Sequence, residues 1–374
     1  MPGSSPNAIN LVSGYPYADA VPVEALVAAA RALAQDEGDR PFQYLGSARQ
    51  SFLREWLARA MGPELGAEDQ LLVTFGALQG LDLAAQAALD RDTAVLVQSP
   101  TYMEALEVFR NYTDHIVPVA ECDGVFPMGA VEEALEGAAR RGTPVRLIYW
   151  GADFQNPTGL VTPESDRREL VSLAARHGAW LVEDAAYRDL FFGEPLPSLK
   201  ALDSAQHVVY LGTLSKTVAP GLRIGWAVGP KRLLTAMDRM KKDLGNPFVE
   251  AVVGEYLQAI DYESHVRELR QAYAQRAEEA VKALGAPAQG VEVPKPRGGY
   301  FLWVRLRETW DSDHVAAFLA QEGIMALSGR WFCVETEPDP HAIRLSFSYQ
   351  PLDQLIDGFS AAGRALRAFA EAHP

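Results

Sequence analysis

Seven short apolar runs, most of them linked by helical stretches, limit what this chain can fold into more than any other feature. The runs cover residues 71–74, 93–97, 116–119, 145–150, 179–182, 208–211 and 222–229, and Val, Leu and Ile dominate them. Strands buried on both faces read as continuous apolar runs, and strands alternating with helices assemble into a mostly parallel sheet with helices on both sides. The expected class is therefore α/β. After residue 289 the pattern changes to short strands at 291–293, 298–304 and 343–348 with helices at 313–322 and 351–370, which describes a smaller α+β unit. Long Glu/Ala/Arg-rich helices from Pro230 to about Leu284 join the two. A chain of 374 residues accommodates this division. Its expected parts are an N-terminal arm over 1–40, a large domain over 41–270 and a small domain over 271–374. Residues 1–9 read as a flexible polar lead, and an Ala-rich helix covers Val23 to Gln35.

Open α/β sheets bind ligands beyond the carboxyl ends of their strands, so the loops at those ends are where chemistry belongs. Strand 71–74 runs into Gly76-Ala77-Leu78 at a helix start, where free backbone N–H groups and the helix dipole attract an anion. Strand 145–150 ends in Gly151-Ala-Asp-Phe-Gln-Asn-Pro-Thr-Gly159, whose turn presents the Asn156 amide. The run 179–182 delivers Glu183-Asp184 and, three residues on, Tyr187. Glu-Asp also suits helix capping or a metal carboxylate pair, but no histidine stands nearby at ligand spacing. Strand 208–211 leads into Thr213-Leu-Ser215-Lys216, with Arg223 seven residues after the lysine. An amine held in a pocket near a second cation has a lowered pKa and forms a Schiff base with an aldehyde. Hydroxyls and a guanidinium fork suit a phosphate. Ser-Lys as a surface turn and Arg223 as a strand-edge charge is the alternative that this stretch alone leaves open.

The lysine segment, hydroxyl-x-hydroxyl-Lys followed by Arg-x-Gly-Trp, resembles that of the fold-type I enzymes dependent on pyridoxal 5′-phosphate (PLP). The class I and II aminotransferases are the group it is most similar to. The resemblance runs from Gly14 to Arg344. It implies that Lys216 carries the cofactor, that Asp184 keeps the pyridine nitrogen protonated, and that Asn156 and Tyr187 bond the phenolic oxygen. It also implies that Tyr102 stacks on the ring, that Gly76, Ala77, Leu78, Thr213, Ser215 and Arg223 hold the phosphate, and that Tyr44 reaches it across a homodimer interface. Gly14, Tyr15, Asn156 and Arg344 would meet the amino-acid substrate. The sequence departs from the family pattern at Thr213 (serine), Ala152 (proline), Ser328 (proline) and Arg49 (glycine). The implied reaction is ping-pong transfer of an amino group between an L-amino acid and a 2-oxo acid. The alternatives are another reaction on the same scaffold, such as β-elimination, and a non-catalytic PLP-binding effector domain. The latter ranks low because no winged-helix-like pattern precedes residue 10. Tyr15, Tyr17, Arg49, Tyr300 and Trp331 are the candidates for the side-chain pocket, and Arg330 is the cation in reserve if Arg49 does not serve.

Composition narrows the partners further. A net charge of −15 argues against nucleic acid, whose phosphates require a basic face. Cys122 and Cys333, the only two cysteines, are too few for a disulfide framework or a Cys-rich zinc site. The first residues have neither a basic nor an apolar region of the signal-peptide kind, and no run of 18 apolar residues occurs. A cytoplasmic protein without a metal or membrane partner is expected.

Overall fold

The computed structural model describes residues 8–44, 50–62, 65–243 and 245–373. Among these the strands in chain order are β1 (Ile9–Asn10), β2 (Asp69–Thr74), β3 (Ala94–Ser99), β4 (His115–Ala120), β5 (Val145–Trp150) and β6 (Trp180–Asp184). They continue with β7 (Val208–Thr213), β8 (Gly225–Pro230), β9 (Phe301–Arg305), β10 (Ile324–Met325), β11 (Leu327–Ser328) and β12 (Ala342–Ser346). A seven-stranded sheet in the order β2-β8-β7-β6-β5-β3-β4 forms the centre. Only β8 runs antiparallel to its neighbours; every other pair is parallel. This is the mostly parallel α/β sheet that the alternating pattern implies.

Period-2 alternation distributes the sheet's side chains between two helical layers. Val95, Val97, Leu147, Val182, Val209 and Leu211 point to the layer made by helices Gly76–Ala88, Met103–Arg110 and Lys231–Met240. Leu96, Ile148, Leu181 and Val208 point the other way, onto helices Met128–Arg140 and Glu164–His177. Each fully buried aliphatic side chain of this kind contributes about 1.5–3 kcal/mol. Every residue of β3, β7 and β8 is buried, so a one-residue slip would send each side chain into the opposite helical layer.

The second unit contains an antiparallel sheet, β11-β12-β9, and a parallel pair, β1-β10. Helices Ser312–Gln321 and Leu352–Ala372 cover it, and the 23-residue helix Tyr262–Leu284 packs along the last of these. Asp261 starts that long helix by accepting the N–H of Ser264.

Four sequence expectations are corrected. Ile9 belongs to a strand, paired with Ile324, and its methyl lies against Gly358, so the polar lead ends before it. Residues 291–293 make a single bridge, Glu292 with Arg305, where a strand was expected; Pro294 and Pro296 lack the N–H groups that would extend it. The strand expected from Leu222 begins at Gly225, because 220–222 form a tight turn and Arg223 is left-handed at φ 53°. Finally, β9 begins at Phe301, after Gly299 at φ 69°.

Candidate active site

Register places the chemistry-bearing loops along one sheet edge. Asp184 pairs with Leu211, Glu183 with Trp150, and both Thr74 and Thr213 with Gly225. The carboxyl ends of β2, β5, β6 and β7 therefore converge, together with the start of β8, on a cavity of about 440 Å³. Its wall includes Gly14, Tyr15, Ala77, Leu78, Tyr102, Asn156, Asp184, Tyr187, Thr213, Ser215, Lys216, Arg223 and Arg344. Gly76 stands immediately behind it.

Lys216 is deep in this cavity, its Nζ donating to the Gly14 carbonyl at 2.9 Å. The ring centroids of Tyr187 and Tyr300 are 5.3 and 5.5 Å from the ammonium. Burial, and next the Arg344 guanidinium, pull its pKa down to about 8. About a tenth of the amine is therefore neutral at pH 7, and half at pH 8.

One end of the cavity is built for an anion. Helix Gly76–Ala88 opens with no side chain capping its first turn. Gln79 accepts the Phe75 N–H at 2.8 Å and is itself held by Asp243 at 3.1 Å. Left-handed Arg223 folds its guanidinium onto Gly76, donating to the Phe75 carbonyl at 3.1 Å. A Cβ on Gly76 would lie 2.4 Å from Arg223 Nη2, so only glycine allows this approach. Thr213 Oγ1 donates to the Ile224 carbonyl at 3.0 Å and accepts the Ser215 N–H at 3.1 Å, which fixes both hydroxyls at the cavity wall.

The opposite end is built around Arg344, only 4% exposed. Its Nη1 donates to Asn156 Oδ1 at 2.7 Å and its Nη2 to the Val12 carbonyl at 2.8 Å, while Nε is buried without a hydrogen-bond partner. The guanidinium carbon sits 4.0 Å from the Phe301 ring centroid. Burial lowers its pKa to about 10. No carboxylate forms an ion pair with it, although Glu104 in the same cavity opposes the fall in its pKa, so the guanidinium keeps donors suited to a carboxylate.

Between the two ends lies Asp184, whose Oδ2 accepts the Tyr149 hydroxyl at 2.5 Å and whose Oδ1 accepts the Ala186 N–H at 3.1 Å. Burial raises its pKa; the two hydrogen bonds and Lys216 oppose the rise. Burial also raises the phenols of Tyr102 and Tyr187, so both remain protonated donors.

Several contributing residues carry no signal that sequence reasoning picked up. Arg167, fully buried, locks the Asn156 loop by bonding Asp153, Ala152 and Thr162. Arg188 pairs with the same Asp153 at 3.0 Å. Gln155 reaches the Pro100 carbonyl and Gln98 accepts the Gly151 N–H, stitching two loops together. Glu104 lines the cavity beside Tyr102, with Oε2 buried and without a hydrogen-bond partner. Asp153, immediately before the Phe154–Gly159 turn, is the acid that both arginines meet.

Other expectations are not brought into the cavity. Tyr44 is 86% exposed and away from it. Tyr17 packs edge-on against Tyr273, and Tyr300 lies behind Lys216, donating to its carbonyl at 3.0 Å. Trp331 is 65% exposed on the surface. Arg330 is engaged by Asp311 at 2.9 Å and by Asp313 and Asp339 at 3.5 Å, so it serves as a structural ion pair. Arg49 lies outside the described residues. No group of three or more His, Cys, Asp or Glu suited to a metal ion occurs among the described residues, and no helix among them is long and apolar enough to cross a membrane.

Residues 6–359 match the family described as aminotransferase class I and II. The chain is 29% identical over 369 residues to a 2-aminoadipate transaminase of Thermus thermophilus, covering 97% of this chain and 91% of that one. It is 32% identical over 302 residues to YisV, an HTH-type transcriptional regulator of Bacillus subtilis, over 79% of this chain and 61% of that protein. Among solved structures it is similar to a kynurenine aminotransferase of Pyrococcus horikoshii at TM-score 0.90 and 30% identity, covering 98% of this chain and 92% of the other.

Proposed function

The chain belongs to the class I and II aminotransferases, as a PLP-dependent enzyme of fold type I, and we propose that it exchanges amino groups between an L-amino acid with a bulky, uncharged side chain and a 2-oxo acid. The observation that carries the site assignment is one cavity with buried Lys216 between an anion cradle at Arg223 and a second buried guanidinium at Arg344. A phosphate-bearing pyridine fits these residues. The uncapped helix start and the Arg223 fork would take the phosphate, and Asp184 would hold the ring nitrogen. When bound, PLP supplies an aldehyde for the amino group and an electron-poor ring that stabilises negative charge at Cα.

The chain's residues divide the work. Ala77 and Leu78 N–H groups, Thr213, Ser215 and Arg223 hold the phosphate. Tyr102 stacks on the ring, and Asp184 holds the proton on its nitrogen. Asn156 has its Oδ1 committed to Arg344, which leaves Nδ2 to donate to the phenolic oxygen opposite Tyr187. Arg344 would bind the substrate carboxylate and so orient the Cα–H bond toward Lys216 in the same cavity. Lys216 Nζ would serve as the base that takes the substrate's Cα proton and as the acid that gives it back, the proton transfer that PLP chemistry requires of a buried amine. Ping-pong exchange follows, because the first oxo acid leaves before the second enters.

The substrate class rests on the wall. Tyr15, Leu78, Leu81, Met103, Phe301 and Leu327 line it, while its described cations Lys216, Arg223 and Arg344 all have other tasks. A homodimer is part of the proposal. Tyr44 and Phe42 are 86% and 64% exposed, and Phe42 stacks on Phe248 to form an aromatic face from which Tyr44 would reach the partner's phosphate. So are the division at about residues 40 and 270 and a cytoplasmic setting, which two unpaired cysteines favour. An amino-donor panel with 2-oxoglutarate tests the reading. One oxo acid formed per oxo acid consumed, without ammonia, is the expected result. Ammonia release would replace it with elimination, and cofactor binding with no turnover of any donor would favour an effector role like that suggested by the regulator relative.

A further inference from the structure

Tyr149 has no part in the chemistry described so far, yet it makes the 2.5 Å contact with Asp184. It sits next to the end of β5, in register with Val97 of β3 and Val182 of β6. The ring is 3% exposed and is held edge-on by Phe109, with centroids 5.6 Å apart. Its hydroxyl thus has a fixed direction. The Ala186 N–H occupies the other carboxylate oxygen, so two rigid donors, one from β5 and one from the turn after β6, define the plane of the Asp184 carboxylate. Each oxygen retains a lone pair, and the side chain lines the cavity.

We propose that Tyr149 is a positioning residue for the cofactor ring, its hydroxyl holding Asp184 as an oriented anion that can accept only from the pyridine nitrogen. The proposal rests on the assignment of Asp184 to that nitrogen. A hydroxyl that donates to a carboxylate stabilises the charged form, and in a buried site nothing from solvent replaces it. The other ionisable groups facing Asp184 are Lys216, from the loop after β7, and the phenols of Tyr102 and Tyr187. Glu104 faces Tyr149 and Tyr102 from the helix Met103–Arg110. None of them bonds Asp184, so Tyr149 is the side-chain donor to remove. Burial and the adjacent Asp184 hold its own phenol well above the ordinary range, which keeps it a donor at working pH.

The test uses holoenzyme loaded with cofactor labelled at the ring nitrogen, compared as wild type, Tyr149→Phe and Asp184→Asn. Asp184→Asn should move the ring-nitrogen NMR shift to that of an unprotonated pyridine. Tyr149→Phe should move it part of the way and shift the acid limb of the kcat profile up by about one to two pH units. The sign follows because Asp184, deprived of a donor, binds its proton more tightly and ionises only at higher pH. Site-specific fluorotyrosine at 149, a stronger donor, should move the limb down. A residue that merely fills space would not give opposite responses to the two replacements. If Asp184→Asn leaves the nitrogen signal unchanged, the assignment of Asp184 is wrong. If Asp184→Asn moves it but both Tyr149 replacements match wild type, the role given to Tyr149 is overturned.

Discussion

The two ends of the cavity are built by different means. At the end proposed for the phosphate, position is set by backbone: a helix start, a left-handed arginine and three strand termini in fixed register, with Gly76 and Gly225 admitting contacts that any side chain would block. At the mouth, position is set by side chains on the N-terminal segment. Tyr15 is 56% exposed and touches Tyr349 edge-on at 5.7 Å, and Tyr44 projects away from its own cavity. Backbone-built sites specify a chemistry, because shifting them means shifting the sheet. A mouth lined by exposed side chains can change its preference by substitution without disturbing the fold.

The largest effect should come from the residue between the two ends. Lys216→Ala should lower turnover by about 10⁴-fold while leaving phosphate-end binding of the cofactor, read by calorimetry. Borohydride reduction of wild type followed by peptide mapping should find the cofactor on Lys216, and a label on any other lysine would refute the assignment. The neutral amine is the nucleophile, and its pKa is about 8. Capture of PLP by apoenzyme should therefore quicken as pH rises through about 8 and level off above it. A rate insensitive to pH across that range would place another group at the reacting position.

A smaller loss should follow damage to the backbone-built end alone. A Cβ at Gly225 would stand 2.4 Å from Gly76 C and 2.7 Å from Ala77 N, both backbone atoms that cannot swing aside. Gly225→Ala should cost about 2–3 kcal/mol of packing strain, seen as roughly a thirty- to 150-fold weaker cofactor affinity. Its KM for amino donor, measured at saturating PLP, should stay near wild type. A change in donor preference instead would show that the two ends are not independent.

What was legible in the sequence follows the same division. The sheet, its helices and the residues that share the cavity were readable because each sits in or after a continuous apolar run or in a turn with Gly or Pro chemistry. Asn156, Asp184, Lys216 and Arg223 are all within five residues of a strand in the folded chain, except Asn156 at six from Trp150. Tyr149 and Arg167 were not readable. A tyrosine in an apolar strand and an arginine in an amphipathic helix look like packing and surface until the partner carboxylates, Asp184 and Asp153, are located in space. The side-chain pocket failed for a related reason. Tyr17, Tyr300 and Trp331 were chosen for their aromaticity, and Tyr273, the Lys216 carbonyl and solvent respectively claimed them.

The smallest expected effect concerns Arg49, which takes the place of the family's glycine. The cations that line the described wall are Lys216, Arg223 and Arg344, all committed elsewhere, so an acidic donor side chain needs one supplied from another part of the chain or from a second copy. If Arg49 supplies it, the contact is worth about 1.5 kcal/mol, or roughly tenfold, and only for donors that carry the second carboxylate. Arg49→Gly should then lower kcat/KM for 2-aminoadipate or glutamate by that factor and leave aromatic donors unchanged, which would confine the acidic preference to the mouth. For the bulky uncharged donor proposed here, the larger of two effects at the mouth should instead be Tyr15→Ala, at several-fold, because an edge-on aromatic contact is lost. Equal losses on both donor classes from Arg49→Gly, with cofactor affinity intact, would make Arg49 a scaffold residue. An acidic donor turned over as well as an aromatic one in wild type, and tenfold worse after Arg49→Gly, would replace the uncharged substrate class with an acidic one.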